Sequence, residues 1–253
     1  MSSNTEMKWM LARPIAHRGL HNASNPENSI GAFYAGMLKG YNLELDVHLT
    51  QDNELAVVHD ENLERMTGQS EQITSCERKK WRSFSLLGTS EGIPTLDEVL
   101  KLVNGRVGLI IEIKSDKSVP LGKLEDILIE KLRAYKGDFA IKSFDPRIVK
   151  YIRKHAPEFI CGQLSWSYKD YAGLSKLTRF YLSHLMMIPF NHAQFISYDI
   201  NTLPCAAVTK YRKRGLPVLA WTISSPELAE KARAHCDNII FEKWDPDTVG
   251  FKL

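Results

Sequence analysis

The stretch Leu43-Glu44-Leu45-Asp46-Val47-His48 alternates acidic or polar with apolar residues. A period of two puts Glu44, Asp46 and His48 on one face of a strand and Leu43, Leu45 and Val47 on the other. Carboxylates roughly 6–7 Å apart along a strand repel each other, and burial together would force a proton onto one of them. A hard divalent cation with oxygen ligands removes that conflict. A third acid stands in Leu109-Ile110-Ile111-Glu112-Ile113-Lys114, an apolar run of the kind buried on both faces. Glu112 beside Glu44 and Asp46 would complete a three-carboxylate metal site. The bland alternative is a Glu112–Lys114 pair that serves structure alone.

Two histidines frame these acids. Ile15-Ala16-His17-Arg18-Gly19 ends one strand candidate and Val57-Val58-His59-Asp60 ends another. Any one such histidine is usually structural. Two of them near a carboxylate site suit phosphodiester cleavage, which needs a base to activate the nucleophile and an acid to protonate the leaving alkoxide. Arg18 offers a planar fork that matches phosphate oxygens, and Lys114 could neutralise another. A strand end capped by polar residues is the competing reading of His17-Arg18-Gly19.

These side chains meet only if the chain builds a parallel sheet with its strand ends on one side. Strand candidates fall at 14–18, 42–49, 54–59, 107–114, 139–144, 159–164, 195–200, 217–223 and 238–242, and helical patterns at 28–39, 95–103, 122–135, 146–155, 204–214 and 225–234. Asn25-Pro26-Glu27, Thr95 with Glu98, and Ser225-Pro226-Glu227 read as helix starts. Gly40 and Gly215 read as helix stops. The alternation predicts a (β/α)8 TIM barrel forming one domain over residues 1–253. Nine strand candidates are one too many. Gln51-Asp52-Asn53 leaves no room for a crossover helix, so 42–49 and 54–59 are expected to pair as an antiparallel hairpin that delivers His59 to the catalytic face. Residues 61–93 hold no barrel element and are expected to form an insertion on that face, with Trp81, Phe84 and Leu86-Leu87 as its packing contacts.

Composition excludes several classes. Hydrophobic residues make up 43% and charged residues 25%, enough for a sizeable core, and the formal net charge of +3 is spread along the chain. That disfavours an extended nucleic-acid surface. Cys76, Cys161, Cys205 and Cys236 form no CxxC pair and are expected to be free thiols. With no continuous apolar segment long enough to span a bilayer, a cytoplasmic location is the expectation. Residues 165–192 are unusually apolar. An irregular helix buried against the barrel is the first expectation for them, and an apolar lip that accepts a lysophospholipid acyl chain the second.

The motifs in order, His17-Arg18, Glu44-x-Asp46, His59-Asp60 and Glu112-x-Lys114, resemble the glycerophosphodiester phosphodiesterase family. Pro26-Glu27-Asn28-Ser29, Pro94 to Leu100, Ser143-Phe144-Asp145 and Trp221-Thr222 extend the resemblance from about residue 13 to about residue 244. It implies Mg2+ or Ca2+ on Glu44, Asp46 and Glu112, His17 and His59 as the acid/base pair, and Arg18 and Lys114 on the phosphate. The implied reaction begins with attack by the substrate's own glycerol hydroxyl, passes through a cyclic phosphate and yields glycerol 3-phosphate. Trp221 could line the pocket against glycerol carbons or only fill the barrel. Asp237 to Trp244 departs from the family's last strand, a change at the rim that bears on substrate preference and leaves the metal and acid/base positions untouched. Phospholipase D-like action on lysophospholipids, as hydrolase or cyclising lyase, and a non-catalytic phosphate-ester binding barrel are the alternatives.

Overall fold

The structure, a computed structural model, describes residues 6–169 and 171–251. It contains strands β1 (Ile15–Ala16), β2 (Asn42–Leu49), β3 (Leu55–Val57), β4 (Leu109–Ile113), β5 (Phe139–Ser143), β6 (Ile160–Ser165), β7 (Phe195–Asp199), β8 (Val218–Ile223) and β9 (Asn238–Phe241). The helices are α1 (Lys8–Ala12), α2 (Ile30–Leu38), α3 (Glu64–Thr67), α4 (Arg78–Trp81), α5 (Leu96–Val103), α6 (Lys123–Ala134), α7 (Pro146–His155), α8 (Lys176–Ser183), α9 (Ile188–Asn191), α10 (Ala206–Arg212) and α11 (Pro226–Arg233). The fold is the (β/α)8 barrel, with β3 as the additional strand. Its contacts divide into two compact units, residues 15–140 and residues 1–14 with 141–253.

In the first unit β1, β2 and β4 pair in parallel, and every residue of β2 and β4 is buried. The hairpin expected from Gln51-Asp52-Asn53 is present: β3 runs antiparallel to β2 with Val47 opposite Val57, and Asn53 takes the left-handed φ of 62° that the turn needs. Thr95 and Glu98 form the capping box read from the sequence. One helix start differs. Ser29, not the Asn25-Pro26-Glu27 segment, caps α2 by accepting a bond from the Ala32 amide. Glu27 is thereby released from the helix and faces Arg18 and Arg65.

The insertion after β3 has its own core. Trp81 is fully buried among Leu63, Met66, Ile73 and Leu86, with Phe84 packed on its flank. Leu87, expected to pack there too, is instead 57% exposed; it sits at a left-handed φ of 48° in the turn that reverses the chain.

In the second unit β6, β7, β8 and β9 pair in parallel in chain order. Ser225 caps α11 as expected. Residues 165–192 depart from the first expectation. Tyr168, Leu185, Met187 and Ile188 are buried, but no residue of α8 is, and Leu177, Phe180, Met186 and Phe190 are exposed. The described part of segment 165–192 is therefore anchored by a few buried residues, with several of its large apolar side chains exposed. All four cysteines are free thiols. No helix among the described residues is long and apolar enough to cross a membrane.

Candidate active site

Every polar side chain of the candidate site belongs to the first unit, and the parallel register explains why the acids meet. Asp46 stands directly opposite Glu112, and Glu44 lies two residues before Asp46 on the same face. One carboxylate oxygen from each of Glu44, Asp46 and Glu112 lies within 4.8 Å of the others. Glu44 is fully buried, and Asp46 and Glu112 nearly so. Three buried carboxylates in this space demand positive charge. Lys114 supplies part of it, its Nζ lying 2.8 Å from Asp46 Oδ1 and 2.5 Å from Glu112 Oε1. Burial works against an ionised Asp46, but Lys114 and Arg18 outweigh it and hold the carboxyl well below its ordinary range. Burial likewise works against the Lys114 ammonium, and the Asp46 and Glu112 charges reverse that, pushing its pKa up.

Lys114, together with an Arg18 that is shared with Glu27, leaves three acids under-compensated. An all-oxygen donor set spanning 4.8 Å fits one hard divalent cation, whose metal–oxygen bonds measure roughly 2.0–2.6 Å. Glu44, Asp46 and Glu112 are the residues that could hold it.

The loop after β1 is fitted closely to this cluster. Arg18 has a left-handed φ of 54°, and its amide donates to Glu44 Oε2 at 3.0 Å. Gly19 follows at φ 81°, where a Cβ would come 2.7 Å from the Ala32 carbonyl carbon; only glycine fits. The Arg18 side chain lies between two acids, with Nε 3.4 Å from Asp46 Oδ2 and Nη1 donating to Glu27 Oε1 at 2.6 Å. His17 is almost buried, its Nε2 3.9 Å from Glu44 Oε2.

His59 is held from two sides. Its Nδ1–H donates to Asp60 Oδ1 at 2.6 Å, and its carbonyl accepts from His48 Nε2–H at 3.0 Å. In a neutral ring this arrangement leaves Nε2 as the basic nitrogen. Arg65 then ties the ends of the site together. Its guanidinium donates to both oxygens of Glu27, at 2.7 and 3.0 Å, and to Asp60 Oδ2 at 2.5 Å. A continuous chain of ion pairs thus runs Arg18, Glu27, Arg65, Asp60, and the Asp60 hydrogen bond extends it to His59.

The structure brings seven of the residues singled out from the sequence into this unit: His17, Arg18, Glu44, Asp46, His59, Glu112 and Lys114. Trp221 lies in the second unit, on β8, half-buried and edge-on to Phe144 with ring centroids 5.7 Å apart. Five supporting residues were assigned no role in the site from the sequence. Asn28 donates to Asp46 Oδ2 at 2.9 Å from a left-handed φ of 57°. Glu27, His48, Asp60 and Arg65 are the others. Asp60 adjoins His59 and His48 follows the period-two pattern, so both were visible as neighbours. Arg65 carried no local signal, since its role depends on where the insertion folds.

Comparison with known proteins agrees with this geometry. The model of the Glycerophosphoryl diester phosphodiesterase family matches residues 17–246. A glycerophosphodiester phosphodiesterase of Caldanaerobacter subterraneus subsp. tengcongensis is 33% identical over 246 residues, covering 93% of this chain and 95% of the relative. A lysophospholipase D of Rattus norvegicus is 31% identical over 138 residues, covering 49% of this chain and 43% of the relative. Among solved structures, an Oleispira antarctica phosphodiesterase in complex with the product sn-glycerol-3-phosphate superposes with a TM-score of 0.80 at 20% identity, covering 94% of this chain and 95% of that one. A Thermotoga maritima glycerophosphodiester phosphodiesterase gives a TM-score of 0.71 at 25% identity, covering 90% and 94%. With a family match spanning most of its length and a relative 33% identical over nearly all of it, the chain belongs to the glycerophosphoryl diester phosphodiesterase family and is an enzyme of that class.

Proposed function

We propose that the protein hydrolyses glycerophosphodiesters to glycerol 3-phosphate and an alcohol in the presence of a divalent cation, Mg2+ or Ca2+, on Glu44, Asp46 and Glu112. The observation that carries this reading is the meeting of those three carboxylates within 4.8 Å. The ion would lower the pKa of the attacking hydroxyl and stabilise charge on the phosphorus oxygens.

The rest of the chemistry falls to side chains. His59, with Nδ1–H on Asp60, takes the proton of the substrate's glycerol hydroxyl on Nε2, and the Asp60 carboxylate stabilises the imidazolium that results. The hydroxyl oxygen attacks phosphorus, a cyclic phosphate forms, and His17 gives a proton to the departing head-group oxygen. Water then opens the ring by the same exchange in reverse. Arg18 and Lys114 hold the non-bridging oxygens. Trp221 is the candidate contact for glycerol carbons. The free thiols suit a reducing cytoplasm.

The test is release of glycerol 3-phosphate from a panel of glycerophosphodiesters, with Mg2+, Ca2+ or chelator. Turnover unaffected by chelation would remove the metal from the reading. Phosphorus NMR separates hydrolysis from a lyase that stops at the cyclic phosphate.

A second reading, lysophospholipids as substrates, is favoured by the exposed apolar side chains of residues 165–192 and by the rat relative's name. Head-group release from lysophosphatidylcholine in the same panel decides it.

A further inference from the structure

We propose that the segment following β6, centred on α8, docks on the surface of an anionic lipid bilayer. Ten large hydrophobic side chains are exposed among the described residues, and five of them, Tyr171, Leu177, Phe180, Met186 and Phe190, fall within residues 171–190. Single exposed apolar residues need no explanation, but half the total in one short segment does. Leu177 is 79% exposed and Phe180 53%, and at three residues apart on α8 they are neighbours on its outer surface. The segment is anchored by buried Tyr168, Leu185, Met187 and Ile188, so the exposed side chains are presented and not merely loose.

Charge selects the partner. Residues 165–192 carry Lys169, Lys176 and Arg179 against Asp170 as the single acid. The three basic side chains line one cavity of about 760 Å3 together with Phe180 and His184. No carboxylate is among the described residues that line it. Cations around exposed Leu and Phe are what an interfacial helix offers: apolar side chains enter the acyl boundary while lysine and arginine stay at the phosphates. A second copy of the chain fits worse. A two-fold contact would bring two copies of the same basic patch together, in a protein already at formal net charge +3.

The experiment is co-sedimentation of the whole protein with phosphatidylcholine vesicles, with and without phosphatidylglycerol, at two ionic strengths. The expected result is binding that needs phosphatidylglycerol and weakens with salt. Lys176→Glu with Arg179→Glu should lower partitioning at least about 10-fold. Leu177→Asp with Phe180→Asp should do the same while the melting temperature and turnover of a water-soluble diester stay unchanged, which separates loss of docking from loss of fold or catalysis. Equal binding to neutral vesicles, or no binding to either, overturns the proposal. So does concentration-dependent dimerisation that the Leu177 and Phe180 substitutions abolish without any vesicle binding.

Discussion

The imidazole of His59 donates its Nδ1–H to the carboxylate of Asp60 at 2.6 Å, so two consecutive residues are arranged as the proposed mechanism requires of a base and its orienting acid. If that bond fixes the tautomer, Asp60→Asn should lower kcat by at least about 100-fold, with the tautomer-fixing carboxylate of a general-base histidine as the precedent, and with little change in KM. His59→Ala should cost at least about 100-fold. Steady-state kinetics on a soluble glycerophosphodiester checks both. A His59→Ala enzyme with wild-type turnover would remove His59 from the chemistry.

His17 offers a contrasting case. Its Nε2 lies 3.9 Å from Glu44 Oε2, beyond hydrogen-bond distance. It is expected to act on the leaving group, so His17→Ala should cost at least about 100-fold with ordinary substrates. The loss should be smaller for a diester whose leaving alcohol is acidic enough to depart unprotonated, such as a nitrophenyl ester. An equal loss on both substrates would contradict the assignment.

Metal binding can be read without turnover. Glu44→Gln and Asp46→Asn each remove one charge from the triad and should weaken calorimetric binding of Mg2+ or Ca2+ by at least about 10-fold. The Asp46 change should be the more disruptive, because it also replaces one of the two oxygens that Lys114, on Oδ1, and Arg18 and Asn28, on Oδ2, now use, and removes the charge facing both cations. Unaltered titrations would place the cation elsewhere.

The acids were legible in the sequence because period two and an apolar surround are local signals: Glu44, Asp46 and Glu112 each sit in a run whose neighbours must be buried. The hairpin was legible for a similar reason, since three turn residues cannot hide a crossover. What the sequence could not show are contacts made by irregular backbone. Asn28 looked like part of a helix start, yet a left-handed φ turns it onto Asp46. Arg65 looked like an ordinary surface residue of a polar insertion, yet α3 sets it between Glu27 and Asp60. The apolar content of 165–192 was read as burial because composition reports hydrophobicity and not direction; α8 in fact buries none of its residues.

Arg65 makes a prediction about acid stability. Burial alone would raise the Glu27 carboxyl, but the hydrogen bonds from Arg65 and the charge of Arg18 hold it below its ordinary value. Asp60 is likewise raised by burial and lowered further by Arg65 and His59. A carboxyl whose pKa is lower in the folded state stabilises that state fully above its unfolded value, roughly 4, and the contribution is lost as pH falls through the folded value. Arg65→Ala removes the partner both acids share. The melting temperature of the variant should therefore fall less steeply than that of wild type between about pH 5 and pH 3, and the two should differ most near neutrality. Parallel curves would show that Arg65 does not set these pKa values.

The same residue depends on the insertion being folded, which gives a final prediction. Trp81 is fully buried in a core shared by α3, α4, Ala56 of β3 and Val58 just beyond that strand. Trp81→Ala removes the largest side chain of that core and should cost about 3–5 kcal/mol. The loss is local in origin, so it should reach catalysis through α3: once Arg65 is no longer held, Asp60 and His59 lose their fixed geometry. Turnover should be lost at temperatures below the melting temperature of the barrel, while any calorimetric cation binding at Glu44, Asp46 and Glu112 persists. Hydrogen exchange would show residues 61–93 opening first in the variant. If instead the barrel strands and the insertion lost protection together, the insertion would be an integral part of the folding unit, and Trp81 would matter for stability but not specifically for His59.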